Sequence, residues 1–176
     1  DQPIPLGYSN AGVVIDTNDN NYNIGDRVVS NGSHAEVVSA GRNLCAKIPE
    51  QVDDESASFT VLGSIALESI RLVNPSLGEN VAVFGLGLIG LLSVQMLKAN
   101  GCRVIAIDYN GERCSLAESF GAESINLSES KTPVEIVKQF TRGKGIDAAI
   151  IATATNSDEV IHQAASMSRT RGQIVL

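Results

Sequence analysis

The sequence predicts an α/β fold with a doubly wound parallel sheet, and two observations carry that prediction. From residue 78 onward, apolar runs of strand length alternate with helical segments, which requires parallel strands joined by crossover helices. The first of these runs, residues 81–84, leads directly into the glycine loop Gly85-Leu86-Gly87-Leu88-Ile89-Gly90. An apolar strand, a loop of this pattern and a helix in succession are typical of a unit that binds a dinucleotide.

The elements of this sheet follow from the hydrophobic periodicity and from helix-stop signals. We expect strands at residues 80–85, 102–108, 123–127, 147–152 and 172–176. We expect helices at residues 88–99, 112–120, 133–141 and 158–168. Right-handed crossovers then give a Rossmann-type sheet of strand order 3-2-1-4-5, with the nucleotide over the carboxyl edge where the order reverses. The sixth strand of such a sheet is missing, because the chain stops at Leu176 inside an apolar run, and we expect the chain to be a fragment.

The part of the chain before residue 78 predicts a different organisation. Short β-type runs at residues 12–15, 26–29 and 35–38 are separated by turn residues, which indicates antiparallel strands. Helical signals follow at residues 53–56 and 65–72. We therefore divide the chain into part of a β-domain at 1–50, connecting helices at 51–77 and a truncated nucleotide-binding domain at 78–176.

The glycine loop has the residues that binding of a pyrophosphate requires. Gly85 permits a tight turn, Gly87 lets the backbone approach the phosphates, and Gly90 lets the following helix pack close to the strand. Leu88 and Ile89 open that helix, where main-chain NH groups and the positive end of the helix dipole face the anion. The alternative is that these glycines only make a packing turn.

A second apolar run, residues 104–107, ends in Asp108 at the spacing expected for the acidic residue that binds the adenine ribose. A carboxylate there accepts both ribose hydroxyls of NAD, whereas the extra phosphate of NADP meets a like charge with no clear compensating arginine. We therefore expect NAD as the cofactor; a solvated strand end is the alternative for Asp108. Five further residues are expected at the cofactor. Ala152-Thr153-Ala154 should line the floor under the adenosine or nicotinamide ribose. Tyr109 and Arg113 are expected beside the adenine, with a solvated face as the alternative.

Composition limits the partners of the chain. A net charge of −7 and an isoelectric point near 4.8 argue against nucleic acid or an anionic membrane, but they allow a small anionic ligand bound by main-chain NH groups. No apolar run is long enough for a membrane span, and nothing at the start resembles a signal peptide. Cys45, Cys102 and Cys114 are widely separated and odd in number, so we expect free thiols and a cytoplasmic location.

Several short motifs resemble the medium-chain dehydrogenase/reductase superfamily, which includes alcohol, threonine and sorbitol dehydrogenases. They are Pro5-Leu6-Gly7-Tyr8-Ser9-Asn10-Ala11-Gly12-Val13-Val14, Gly25-Asp26-Arg27-Val28, His34-Ala35-Glu36, Lys47-Ile48-Pro49, and the glycine loop with Asp108. The resemblance covers nearly the whole chain. It implies that residues 1–50 belong to a GroES-like catalytic β-domain and that the protein transfers hydride to or from a small-molecule substrate.

The resemblance also implies that the catalytic zinc of the family is absent. Zinc-dependent members have Gly-His-Glu where this chain has Gly7-Tyr8-Ser9, and their second ligand, usually Cys, aligns at or near Thr60. Tyrosine and threonine are not normal zinc donors. The lobe that holds a structural zinc in the family is also missing before His34, and we interpret His34 and His162 as packing or surface residues.

The Gly-Tyr-Ser variant is most similar to bacterial two-part oxidoreductases, in which a medium-chain segment is fused to a second domain that could hold the catalytic base. This likeness suggests a sugar or sugar nucleotide as substrate, and family dimers use a strand that would follow Leu176. Within the chain, the catalytic candidates are Tyr8 and Ser64, whose alternatives are a packing residue and a helix-start hydroxyl. Three hypotheses remain: a zinc-independent NAD(H) oxidoreductase, a non-catalytic dinucleotide-binding sensor or scaffold, and a zinc dehydrogenase with ligands at unexpected positions.

Overall fold

The computed structural model describes residues 6–130 and 132–176. The chain forms two compact units, Asp1–Ser64 and Ile65–Leu176. The boundary between them falls inside the segment for which the sequence predicts connecting helices.

The first unit is built on a small antiparallel sheet. Its strands are β1 (Asn10–Val13), β2 (Arg27–Ser30) and β3 (Cys45–Lys47), in the order β1-β2-β3. A short helix, α1 (Asp54–Ala57), begins at Asp53, whose side chain accepts a hydrogen bond from the main-chain NH of Ser56. A longer helix, α2 (Thr60–Val73), starts in this unit.

The strand predicted at residues 35–38 is wrong, because the third strand is β3. Strand β2 already has a neighbour on each side, with Val29 paired to Ala11 on β1 and to Ala46 on β3. The side chain of Val37 lies outside the small core and is 65% exposed. The adjacent Val37 and Val38 produce a strand-like local pattern. Whether a segment forms a strand depends also on its pairing with another strand, which a local pattern does not reveal.

The second unit contains the predicted parallel sheet. Its order, β6-β5-β4-β7-β8, is the predicted 3-2-1-4-5, and all four strand pairs are parallel. The strands are β4 (Asn80–Phe84), β5 (Arg103–Asp108), β6 (Glu123–Asn126), β7 (Ile146–Ile151) and β8 (Ser168–Val175). The helices that follow them are α3 (Leu88–Ala99), α4 (Gly111–Ser119), α5 (Pro133–Phe140) and α6 (Glu159–Met167). Within the two described ranges, no helix is both long and apolar enough to cross a membrane.

Helices cover both faces of this sheet, as alternation along β4 shows. Val81 and Val83 point to one face and pack into a core with residues of α3 and α4, such as Leu97 and Ala117. Ala82 and Phe84 point to the other face, where the core includes residues of α5 and α6. Because both faces are closed, a ligand of this unit has access only at the edges of the sheet.

Strand β8 starts four residues earlier than predicted. Ile146 pairs with Ser168, whereas Ala148 pairs with Gln173, so β8 has extra residues at this point. This irregularity places Arg171 at a positive φ of 64°. The extra residues belong to the amino edge of the sheet, which is opposite the glycine loop.

Candidate dinucleotide site

The loop between β4 and α3 needs glycine at two positions for reasons visible in the structure. Gly85 has a φ of +85°, and a Cβ there would lie 2.7 Å from the Cβ of Thr153. A Cβ on Gly90 would lie 1.9 Å from the carbonyl oxygen of Gly85. The first glycine therefore turns the chain past the end of β7, and the second lets α3 begin directly against that turn.

Gly87 differs from these two glycines because its surroundings are open. A Cβ on Gly87 would meet no atom within 4 Å. Gly87 is also the residue before the first turn of α3, and no side chain caps that helix end. The main-chain NH groups of Leu88 and Ile89 thus begin a helix beside open space, which is the arrangement that binds a phosphate group.

Asp108 ends β5 and links it to the loop. Its Oδ2 atom accepts a hydrogen bond from the main-chain NH of Leu86 at 2.6 Å, and Oδ1 accepts one from the NH of Asn110 at 2.8 Å. The side chain is only 11% exposed. Since a carboxylate has about four acceptor positions, it retains capacity for two ribose hydroxyls.

Arg113, expected beside the adenine, lies next to this carboxylate, whereas the sequence showed no clear arginine to compensate for the phosphate of NADP. The Nη1 atom of Arg113 is 3.9 Å from Oδ2 of Asp108. Arg113 is brought there because α4 starts at Asn110, whose side chain accepts a hydrogen bond from the Arg113 NH. Tyr109, between them, is 66% exposed. The site therefore presents a positive as well as a negative side chain to the sugar of a dinucleotide.

A cavity of about 330 Å³ lies at the carboxyl edge of the sheet, next to Asp108. It collects residues from the ends of β4, β5, β6 and β7 and from the start of α6. Its lining is Phe84, Gly85, Ile107, Asp108, Tyr109, Arg113, Leu127, Thr153, Ala154, Thr155, Ser157, Glu159, Val160 and Gln163. Of the three predicted positions after β7, Thr153 and Ala154 line the cavity, whereas Ala152 donates its main-chain NH to the carbonyl of Phe84 at 2.8 Å.

Sequence reasoning missed the far wall of this cavity, which includes Leu127 and the α6 residues Glu159, Val160 and Gln163. These positions are far along the chain from the glycine loop, and no motif marks them. The available signal was topological, because α6 follows the strand at which the strand order reverses.

The two catalytic candidates lie in the first unit. Tyr8 is 53% exposed. Ser64 is exposed and lies within α2, which begins at Thr60, so it is not the first residue of that helix. Its hydroxyl donates a hydrogen bond to the carbonyl of Val61 at 2.6 Å. A Cβ on Gly7 would lie 2.5 Å from the His34 ring, which places that histidine directly against the backbone beside Tyr8.

The side chains of the described residues do not assemble a zinc site. Within residues 6–130 and 132–176, no group of three His, Cys, Asp or Glu side chains is placed to hold a metal ion. Tyr8 and Thr60, which the resemblance aligns with zinc ligands, offer only hydroxyl groups. The three cysteines are free; Cys102 and Cys114 are buried, and burial raises the pKa of both thiols.

Comparison with known proteins assigns the family. The sequence profile of the zinc-binding dehydrogenase family matches residues 89–176, from the first turn of α3 to the end of the chain. The chain belongs to this family. It is thereby a member of the medium-chain dehydrogenase/reductase superfamily, and its resemblance to that superfamily is confirmed.

Relatives of the chain support the assignment over nearly its whole length. The (R,R)-butanediol dehydrogenase of Bacillus subtilis is 28% identical, and the match covers 99% of this chain and 58% of that protein. The crystal structure of 2R,3R-butanediol dehydrogenase from Bacillus subtilis superimposes with a TM-score of 0.85 at 26% identity, covering 99% of this chain and 58% of that one. A mycobacterial protein solved with NADPH gives a TM-score of 0.85 at 27% identity, covering 100% and 57%. The chain thus spans a little over half the length of these relatives.

Proposed function

We propose that the protein is an NAD(H)-dependent oxidoreductase that transfers hydride between nicotinamide and an alcohol or carbonyl carbon, without a catalytic zinc. One arrangement carries the proposal: the open start of α3 and the carboxylate of Asp108 meet at one edge of the parallel sheet. The butanediol dehydrogenase among the relatives supports this class of reaction, and the relative solved with NADPH supports a nicotinamide dinucleotide as cofactor.

Each part of the edge has a role in this function. The main-chain NH groups at Gly87, Leu88 and Ile89 bind the pyrophosphate, and Asp108 binds the hydroxyls of the adenosine ribose. The cavity beyond Asp108 takes the adenine, and Thr153 and Ala154 border it near the glycine loop. When bound, the dinucleotide supplies the hydride, and the protein supplies position and exclusion of water.

The choice of NAD over NADP rests on Asp108 and is tested by two variants. Asp108→Ala should weaken NADH binding by about tenfold or more, because hydrogen bonds to a charged group are lost, and should weaken NADPH binding less. Arg113→Leu should do the reverse if its guanidinium attracts the additional phosphate. The measurement is fluorescence titration with both dinucleotides. The ratio of the two affinities is the readout, and an equal loss for both in Asp108→Ala would contradict the preference.

Tyr8 and Ser64 are the proposed groups for substrate orientation or proton transfer. In the full-length protein, Tyr8→Phe and Ser64→Ala should lower kcat and leave the affinity for NADH unchanged. Alcohols, sugars and sugar nucleotides are the substrates to compare, since the likeness to two-part oxidoreductases suggests a sugar. Elemental analysis of the purified protein tests the zinc-independent mechanism, because one bound zinc per chain would contradict it.

The second candidate is a dinucleotide-binding module without catalysis, serving as a sensor or scaffold. A contrast within the chain supports this candidate. The candidate dinucleotide site lies in the second unit, whereas Tyr8 and Thr60, which the resemblance aligns with zinc ligands, are not normal metal donors. Binding of NADH without turnover of any alcohol or carbonyl compound by the full-length protein would support this candidate over the first.

A further inference from the structure

Two short segments beyond the amino edge of the parallel sheet carry cations that have no carboxylate partner. Arg142 and Lys144 lie in the loop between α5 and β7, and Arg171 lies in the irregular part of β8. All three side chains are exposed, and in the described ranges no carboxylate oxygen lies within 4.0 Å of their nitrogen atoms. We call these three residues the basic patch. Other cations of the chain do form ion pairs, namely Arg27, Arg42, Lys47, Arg113 and Arg169.

Main-chain packing holds the two segments against each other. A Cβ on Gly145 would lie 2.7 Å from the main-chain nitrogen of Arg169, and a Cβ on Gly172 would lie 3.2 Å from the carbonyl oxygen of Ile146. The NH of Gly145 also donates to the hydroxyl of Thr141 at 3.0 Å, and that threonine is buried. The basic patch is therefore carried by a backbone that is already in place, which lowers the cost of ordering it around a partner.

Two carboxylates at this edge of the sheet are directed to another residue and do not neutralise the basic patch. Oδ1 of Asp147 lies 2.5 Å from Nε of Arg169, and Oε1 of Glu79 lies 3.8 Å from Nη2 of the same guanidinium. The strand ends beneath the two segments are thus paired within the protein, whereas the patch presents three positive charges to solvent. This surface stands out on a chain whose net charge is −7.

The helix dipole explains some other unpaired cations of the second unit. Lys98 and Lys138 lie in the last turns of α3 and α5, where a positive side chain is favoured by the carboxyl end of the helix. The same reason does not apply to Lys144 and Arg171, because both lie outside the helices. Their charge needs a different explanation.

Two residues of the basic patch also occupy a backbone conformation that disfavours a side chain. Arg142 has a φ of 54° and Arg171 a φ of 64°, in the left-handed region where glycine is the usual residue. The other non-glycine residue with a positive φ in the described ranges is Asn74, a residue type that tolerates this conformation. Arginine at both positions is therefore less stable than glycine would be. Such local strain is typical of residues at functional sites.

The shape and charge of the surface favour a short acidic chain over other anions. No residue of the basic patch lines the cavity beside Asp108 or a second cavity of about 430 Å³ between α2 and α3, so these cavities do not join the patch to a small-ligand pocket. A nucleic acid or an anionic membrane extends beyond the patch and is repelled by the net charge of −7. A few consecutive aspartates or glutamates can pair with the three cations without reaching further.

We propose that the basic patch is a docking surface for an acidic segment of a partner polypeptide. Its arginines can each bind a carboxylate through two parallel hydrogen bonds, and Lys144 adds a third positive charge. Because the patch is exposed, salt weakens this association. The inference does not depend on the proposed function, since the patch lies at the edge of the sheet opposite the glycine loop.

The experiment is binding of a fluorescently labelled octaglutamate peptide to the complete 176-residue chain, followed by fluorescence anisotropy. The peptide should bind at low salt, and its affinity should fall by about tenfold at physiological ionic strength, because exposed charges are screened. In Lys144→Gln, which removes one charge and leaves both strained positions unchanged, the affinity at low salt should fall by up to about fivefold.

A double variant separates docking from a structural role of the arginines. Arg142→Gly combined with Arg171→Gly should weaken peptide binding by about tenfold or more, since two of the three charges are lost. The midpoint temperature of unfolding should stay the same or rise, because glycine adopts a positive φ without strain. A structural role predicts the opposite change, a lower midpoint temperature.

Arg71→Gln is the matched control for Lys144→Gln, because it makes the same change in net charge. Arg71 is also exposed and forms no ion pair with a described carboxylate. It lies on α2, whose Ile70 packs into the core on one face of the sheet, whereas Phe140 of α5 packs into the core on the other face. The affinity of Arg71→Gln for octaglutamate should equal that of the unmodified chain.

Each outcome decides the inference. It is supported if affinity falls in Lys144→Gln and in the double glycine variant but not in Arg71→Gln. It is overturned if octaglutamate does not bind at low salt, if all variants bind it equally, or if the double glycine variant is less stable than the unmodified chain. Tighter binding of a DNA duplex or of anionic lipid vesicles than of octaglutamate would also overturn it, since the partner would then not be an acidic polypeptide.

Discussion

The two edges of the parallel sheet both carry charged residues, but these residues have different partners. At the carboxyl edge, Asp108 holds two main-chain NH groups and keeps acceptor positions beside a cavity. At the amino edge, Asp147 accepts hydrogen bonds from the main-chain NH of Asn80 at 2.7 Å and from Nε of Arg169 at 2.5 Å. One edge leaves polar groups available for a ligand, and the other pairs them within the protein.

The network at the amino edge continues across the sheet. Nη1 of Arg103 donates to the side-chain oxygen of Asn80 at 2.9 Å, and its Nη2 donates to the carbonyl of Phe140 at 3.0 Å. The same guanidinium lies 4.2 Å from the centre of the Phe140 ring. These contacts connect the first residues of β4 and β5 to β7, β8 and the end of α5. The network at the amino edge should therefore stabilise the fold.

This contrast predicts that substitutions at the two edges affect different properties. Damage at the amino edge should lower stability and spare binding. At the carboxyl edge, the effect should depend on whether the residue packs against protein or faces open space.

The largest effect is expected for Gly90→Ala. The new methyl group would lie 1.9 Å from the Gly85 carbonyl oxygen, and the main chain has to move to accommodate it. We expect a loss of about 3 kcal/mol in the free energy of unfolding together with loss of NADH binding. Urea denaturation and fluorescence titration measure the two quantities.

Gly87→Ala is the matched control for this change. Its methyl group meets no atom within 4 Å, so stability should change by less than about 1 kcal/mol. NADH binding should nevertheless weaken by about tenfold, because the methyl group lies where the pyrophosphate approaches. A stable Gly90→Ala protein, or tight binding by Gly87→Ala, would contradict the assignment of these two roles.

Asp147→Ala should come next, with a loss of about 2 kcal/mol in unfolding free energy. The change leaves the Asn80 amide and the Arg169 guanidinium without their shared acceptor. The affinity of the folded protein for NADH should stay within about twofold, since the residue lies at the opposite edge from the cavity. A large loss of affinity at full folding would show that the two edges are coupled.

The pH dependence of stability gives a smaller effect with a definite sign. Burial alone would raise the pKa of Asp147, but hydrogen bonds from Arg169 and Asn80 outweigh it and bring the pKa below the ordinary value of 3.8. Because the folded-state pKa is the lower one, the stabilisation is present above pH 3.8 and is lost as the pH falls through the folded-state pKa. The midpoint temperature of thermal unfolding should therefore fall less steeply with decreasing pH in Asp147→Asn than in the unmodified chain.

Part of the acid sensitivity should remain in Asp147→Asn. Hydrogen bonds from the Asn21 main chain lower the pKa of Asp19, and hydrogen bonds from Ser56 lower that of Asp53. Identical acid profiles for Asp147→Asn and the unmodified chain would contradict the role of Asp147.

The smallest effect is expected for Asp54→Ala in the first unit. Asp54 forms an ion pair of 2.6 Å with Arg27, but its side chain is 59% exposed. Solvent screening limits such pairs, so the loss of unfolding free energy should be below about 1 kcal/mol. A loss as large as that of Asp147→Ala would show that exposure does not separate the two aspartates.

The parallel sheet was predictable because its signals are local. Apolar runs mark β4, β5 and β7, and strand order follows from the handedness of crossovers, without knowledge of any particular contact. The near wall of the site was predictable for the same reason, since the glycine loop and Asp108 form a motif of fixed spacing. The antiparallel sheet was less predictable from the sequence, because Cys45–Lys47 is short and its pairing with β2 joins segments that are far apart in the sequence.

The network at the amino edge and the remaining parts of the site depend on contacts between distant segments. Asn80 and Asp147 are 67 residues apart, and Gln163 reaches the cavity only because α6 follows β7 at the reversal of strand order. The position of Arg113 depends on the cap at Asn110, which turns α4 so that the arginine lies beside Asp108. A helix start was readable in the sequence, but the direction of one long side chain was not.

The bond between Leu86 and Asp108 has a consequence for changing coenzyme preference. Redesign towards a phosphorylated ribose commonly starts by removing an acidic residue at the end of this strand. Here that carboxylate also anchors the loop that would bind the diphosphate, so its removal would weaken binding of the diphosphate as well as of the ribose. A successful exchange would have to keep an uncharged acceptor within reach of the Leu86 amide while it gives up the negative charge.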